Sequence, residues 1–114
     1  MHELSIAMSI IDLAEEEIEK RGATHVSAVH LKLGLLSGVA KDALLSSYGL
    51  ACEGTALAGS SLLIEEVPIV AYCDACDAPR PVSPIEWFVC PECHAPISRV
   101  LQGKELQVVG MEIQ

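Results

Sequence analysis

From Leu4 to Lys20 the apolar residues Leu4, Ala7, Met8, Ile11, Ala14 and Ile18 recur at three- and four-residue steps, and Ile10 widens the stripe. That period predicts an amphipathic helix with Asp12, Glu15, Glu16 and Glu19 on its wet face. Lys20 and Arg21 fall in its last turn, with Gly22 behind them. Cations there complement the helix dipole, and glycine accepts the left-handed cap. The period then changes. Val29, Leu31, Leu33 and Leu35 alternate with His30, Lys32 and Gly34, which predicts a half-buried strand that Ser37-Gly38 breaks. A second helix is predicted from about Val39 to Cys52, with Leu44, Leu45, Tyr48 and Cys52 on its apolar side and Gly54 ending it. Ser60 to Tyr72 is strand-like, with Pro68 favouring an edge or a bend. Leu106 to Ile113 returns to strand pattern through Val108, Val109 and Met111.

Between the last two strand-like stretches the composition shifts. Prolines stand at 79, 81, 84, 91 and 96, and all the paired cysteines lie there. The predicted fold is α/β (α+β): two helices packed on a small three-stranded sheet, with a loop-rich zinc-binding insert between two strands. Residues 1–70 and 99–114 form the discontinuous α/β domain, and residues 71–98 form the insert.

A chain of 114 residues with 51% apolar and 4% aromatic residues builds its core from Leu, Ile, Val and Ala. A core this small gains from a cross-link or a metal. The net charge of −9 argues against nucleic acid and anionic membrane as partners, since both require a positive surface. No stretch has the length of a membrane-spanning helix. Glu3 and Asp12 stand where a secretory leader carries Lys or Arg. A cytoplasmic location follows as the expectation, and there patterned cysteines read as metal ligands before disulfides.

Cys73-Asp-Ala-Cys76 and Cys90-Pro-Glu-Cys93 are two C-x-x-C knuckles separated by thirteen residues. Four thiolates so spaced can surround a tetrahedral ion, and zinc accepts an all-sulfur site without redox chemistry. Iron is the chemical rival. Cys90-Pro-Glu-Cys93-His94 also matches a haem-attachment pattern, but that reading leaves Cys73 and Cys76 unexplained. A redox pair fits either knuckle alone, whereas two together argue for a shared metal. The site is closed, so its ion folds the insert and leaves no position for substrate. Arg80 is the only Lys or Arg between Cys73 and Ser98, so this segment is no phosphate-binding zinc ribbon. Trp87 and Phe88 read as the small core of the insert, and Cys52 as a small buried apolar residue.

The chain opens Met1-His2-Glu3. The amine of Met1, the backbone nitrogen of His2 and its Nδ1 can close fused chelate rings, a planar nitrogen set that suits Ni(II) or Cu(II). Glu3 could add an oxygen. The plainer alternative is a solvated His2 and a Glu3 that answers the helix dipole. His25, His30 and His94 read as surface residues. No nucleophile–base pair or phosphate-cradling glycine loop stands out, so the chain is not expected to be an enzyme.

Met1-His2-Glu3-Leu4-Ser5, Gly34-Leu-Leu-Ser-Gly-Val39, Leu63-Ile-Glu-Glu-Val-Pro68, both knuckles and Gly103-Lys-Glu-Leu106 together resemble the HypA/HybF family of nickel-incorporation accessory proteins of [NiFe]-hydrogenase maturation. The resemblance runs the full length. It implies a metallochaperone that takes Ni(II) at Met1, His2 and Glu3, with His2 on the family's key ligand. It implies Zn(II) on Cys73, Cys76, Cys90 and Cys93. It also implies a HypB-type GTPase and the hydrogenase large subunit as partners. The competing expectation is a zinc-stabilised interaction adaptor whose N-terminus is inert.

Overall fold

The computed structural model describes residues 2–83, 88–97 and 99–114. Eight elements follow in chain order: α1 (Glu3–Arg21), β1 (Val26–Gly34), α2 (Lys41–Ala51), β2 (Ser61–Val67), β3 (Val70–Cys73), β4 (Ala78–Pro81), β5 (Arg99–Gln102) and β6 (Leu106–Ile113). They form an α+β fold with two three-stranded sheets, ordered β2-β1-β6 and β4-β3-β5. The chain divides into two compact units. The first holds Met1–Lys32, Gly38–Glu65 and Gln107–Gln114, and the second holds Leu33–Ser37 and Glu66–Leu106.

In the first unit α1 buries Ala7, Ile10, Ile11, Ala14 and Ile18, the stripe that its period predicts. Its first turns differ: Leu4 and Met8 are 50% and 55% exposed. Gly22 caps the helix in the left-handed conformation, its N–H reaching the carbonyls of Glu19 and Ile18. The α2 helix packs on α1 and buries Leu44 and Tyr48, while Leu45 points outward. Burial pushes the Tyr48 hydroxyl up to about 12, and it hydrogen-bonds Ser60 at 2.7 Å. Cys52 is buried, as its place on the apolar face predicts.

The alternation of β1 holds through Leu33 and then stops, because the strand ends at Gly34 and Leu35 turns out to solvent. His25 and Gln114 exchange backbone hydrogen bonds at one end of the β1–β6 pair, so that pair is antiparallel. The half-exposed ring of His30 meets Glu112 at 3.0 Å across these strands. Leu35 N–H bonds the Val67 carbonyl, joining the C-terminal ends of β1 and β2, so these two run parallel.

The single strand-like stretch Ser60 to Tyr72 is two strands, parted at Pro68 and Ile69. The proline has no N–H to give a ladder. The insert carries more regular structure than its prolines suggest: β3 pairs antiparallel with β4 and with β5. Ile69, Ala71, Cys73, Val82, Cys90 and Ile97 form one buried cluster, with Leu36, Cys76 and Phe88 packed against it. Phe88 therefore joins this core, and Trp87 lies outside the described residues. Gly34 and Gly103 meet backbone to backbone in the second unit. A Cβ on Gly34 would run into the Gly103 carbonyl, which already accepts the Leu36 N–H at 2.7 Å.

Candidate metal centres

Cys73 closes β3 and is held by the β3–β4 ladder opposite Ala78. Cys90 is buried and exchanges backbone bonds with its own turn: its N–H reaches the Ala95 carbonyl, and its carbonyl accepts the His94 N–H. Each knuckle is followed by a residue in the left-handed region, Asp77 at φ 55 and His94 at φ 64. That turn brings the chain back over the sulfurs, at some cost in a residue with a Cβ. The two sides match again in their amides: Cys76 N–H points at Cys73 Sγ, and Glu92 N–H at Cys90 Sγ, each at 3.4 Å.

These turns gather the four sulfurs within 4.8 Å of one another. Cys73 and Cys93 are 3.5 Å apart, and Cys76 and Cys90 are 3.9 Å apart. A disulfide needs about 2.05 Å, so no pair is bonded. A tetrahedral ion with metal–sulfur bonds of about 2.3 Å sets its sulfurs about 3.8 Å apart, which these spacings match. The protonation of the set points the same way. Burial pushes the Cys90 thiol up, but the Cys93 and Glu92 N–H groups and the sulfurs of Cys93 and Cys73 bring it down to about 6. The Ala95 N–H lowers Cys93, yet Cys73, burial, Cys76 and Cys90 outweigh it and push this thiol up to about 12. Four thiolates packed this closely repel one another, so the fully ionised set needs a cation among them. The donor set fits a tetrahedral metal ion such as zinc.

Three side chains missed by spacing frame this centre. The Arg80 guanidinium hydrogen-bonds the Cys76 and Cys90 sulfurs. The Tyr72 hydroxyl donates to Asp77 Oδ1 across the first knuckle. The Arg99 guanidinium stacks on the Tyr72 ring at 4.4 Å and pairs with Asp74 at 3.9 Å. The sequence held one signal, that Arg80 is the only cation in a thiol-rich acidic stretch.

At the other candidate centre Met1 lies outside the described residues. His2 is exposed, extended at φ −86 and ψ 116, and stands at the N-cap of α1 with no side-chain capping bond. Its carbonyl accepts the Ile6 N–H, so helical bonding begins at this residue. Glu3 is half-buried, and its Oε2 accepts the Ala40 N–H at the start of α2, at 3.3 Å. The Ala40 N–H, then the Glu3 N–H, and more weakly the His2 ring, hold this carboxyl below the usual glutamate range. Glu3 thus joins the first turns of both helices, a role that the dipole argument alone did not assign. His25, His30 and His94 stand outside the four-sulfur group.

The family model described as "HypA: Hydrogenase/urease nickel incorporation, metallochaperone, hypA" matches residues 1–113. The chain belongs to the HypA family. The hydrogenase maturation factor HypA of Roseiflexus sp. (strain RS-1) is 45% identical over 114 residues, covering 100% of this chain and 93% of that protein. The HypA of Chloroflexus aurantiacus (strain ATCC 29366 / DSM 635 / J-10-fl) is 45% identical over 112 residues, 98% of each chain. The solution structure of the Ni metallochaperone HypA from Helicobacter pylori matches with a TM-score of 0.65 at 25% identity, over 99% of this chain and 97% of that one. Among HypA proteins this chain thus shares fold and length, and no helix among its described residues is long and apolar enough to cross a membrane.

Proposed function

We propose that this protein is a nickel metallochaperone that binds Ni(II) at its N-terminus and delivers it for maturation of the [NiFe]-hydrogenase large subunit. The single observation that carries the reading is the full-length family match, residues 1–113, on a chain that opens Met1-His2-Glu3. The donors are the Met1 amine, the backbone nitrogen and Nδ1 of His2, and the Glu3 carboxylate. An exposed His2 with no capping bond supports this, because its ring is not committed elsewhere. The Glu3 carboxyl, charged and set beside His2 by its bond to Ala40, is placed to add an oxygen. Nitrogen donors must lose protons to bind, so acid loosens the cargo. A site at a chain end, with few donors, exchanges its ion by stepwise substitution from a partner's ligands, so release needs no unfolding.

The four cysteines hold zinc in this reading, and zinc supplies a cross-link that folds the second unit. A HypB-type GTPase and the hydrogenase large subunit are the proposed partners, in the cytoplasm. The chain carries cargo and catalyses nothing itself. Its net charge of −9 suits cation handling and disfavours nucleic acid or an anionic membrane. Calorimetric titration of Ni(II) into wild type and His2→Ala tests the site. Wild type binds and His2→Ala loses at least about 100-fold in affinity, since the imidazole Nδ1 goes and with it the chelate ring that anchors the backbone nitrogen of residue 2. Equal binding by both proteins would contradict the reading, and the adaptor alternative expects that result or no binding.

A further inference from the structure

The four sulfurs are not equivalent. Cys73 and Cys90 are buried, Cys76 is half-buried and Cys93 is exposed. A second asymmetry lies in charge. Arg80 stands opposite Ala71 in the β3–β4 register. Directly paired residues of an antiparallel ladder share a face, and so do residues two apart on one strand. Arg80 therefore shares the buried face of Ala71 and Cys73 and not the outer face of Tyr72. Its Nε is buried with no partner. Its guanidinium hydrogen-bonds the Cys76 and Cys90 sulfurs, the 3.9 Å edge of the cluster. Arg80 is half-buried as a residue, and a guanidinium with one buried, unpartnered nitrogen is favoured where a concentrated negative charge lies beside it. A zinc tetrathiolate, with a formal charge of about −2, is such a charge.

We propose that Arg80 is a positioning residue of the metal centre, pinning the Cys76 and Cys90 thiolates and leaving Cys93 as the sulfur at which the centre opens. The inference rests on the reading that these cysteines hold zinc. Charge-assisted hydrogen bonds draw electron density from the sulfurs that receive them, which lowers their nucleophilicity while the metal stays bound. Cys76 and Cys90 are the sulfurs that Arg80 bonds, and Cys93 is the exposed member of the set. An electrophile or a competing chelator therefore reaches the centre through Cys93, and the Arg80 side stays closed.

The full-length chain is first assayed for bound zinc, and its absence overturns the metal reading together with this inference. Zinc-loaded wild type, Arg80→Gln and Arg80→Lys are then pulsed with iodoacetamide, and the modified cysteines are mapped by mass spectrometry. Zinc release to a chromogenic chelator is followed in parallel. Wild type is expected to alkylate at Cys93 first, with Cys76 about tenfold slower. Arg80→Gln is expected to close that gap and to release zinc about tenfold faster, and Arg80→Lys, which keeps the charge but not the fork, to restore part of both. Exposure alone predicts the same gap and the same release in all three proteins. That result, with zinc still bound, overturns the role of Arg80 and leaves the metal reading standing. Equal alkylation of Cys76 and Cys93 in wild type also overturns the inference, whether or not the variants fold.

Discussion

The two candidate centres are built by opposite means. The cysteine centre is part of a core: Cys73 and Cys90 belong to the buried cluster of the second unit, along with Ile69, Ala71, Val82 and Ile97. Strand pairing, amide-to-sulfur bonds and Arg80 all bear on its sulfurs. At the N-terminal centre His2 is exposed and uncapped, and its fixed neighbour is Glu3, tied to Ala40. In the proposed reading, the difference is what lets one small chain keep one metal and give up another. Enclosure by a core makes loss of the ion cost the fold. Ligation at a chain end leaves the fold indifferent to the cargo.

The sharpest way to break this contrast is to remove one cysteine. Cys73→Ser is expected to abolish tight zinc binding and to unfold the second unit, since structural zinc is worth about 10–16 kcal/mol in small domains. Amide hydrogen exchange should show β3 to β5 lost and α1 protected. A variant that keeps zinc tightly and stays folded throughout would place the cross-link elsewhere. Next in size is Gly34→Ala. The added Cβ meets the Gly103 carbonyl, so backbone must shift, at a cost of about 3 kcal/mol by thermal unfolding. The nickel affinity of this variant should hold, because the contact lies in the second unit.

Much of this was legible in the sequence. The α1 helix showed itself because nineteen residues give the period many repeats. The grouping of the four cysteines showed itself because C-x-x-C spacing fixes two sulfurs per turn. The strands β4 and β5 did not, because each has four residues and two of those in β4 are proline, and β3 was read only as the end of one long strand. Strands so short are defined by pairing and carry no readable period. The exposure of Leu4 and Met8 was hidden for a related reason: a stripe gives a helix its face but not how far the cover extends toward its end. Arg80 was visible as a lone cation, yet its position against the sulfurs follows from the register Ala71 to Arg80, which only the fold supplies. Glu3 likewise read as a dipole partner of its own helix, whereas its bonded N–H belongs to the other.

A smaller effect sharpens the N-terminal side. The Glu3 carboxyl titrates below its ordinary value of 4.5 because the Ala40 N–H, above all, favours its charged form. Its contribution to stability is therefore present above that value and is lost as pH falls through the lowered one. Glu3→Gln should lower the unfolding midpoint slightly at neutral pH, and the difference from wild type should vanish in acid. A difference that persists in acid would mean that the Ala40 contact is not electrostatic.

The central claim is that the chain end itself grips the nickel, with the Met1 amine as a donor. It is tested most directly by titrating Ni(II) calorimetrically into the untagged chain and into one carrying a few extra residues before Met1. The account predicts tight binding by the untagged chain and a loss of at least about 100-fold in the extended one, with zinc content and fold unchanged. Equal nickel affinity in the two proteins would contradict it.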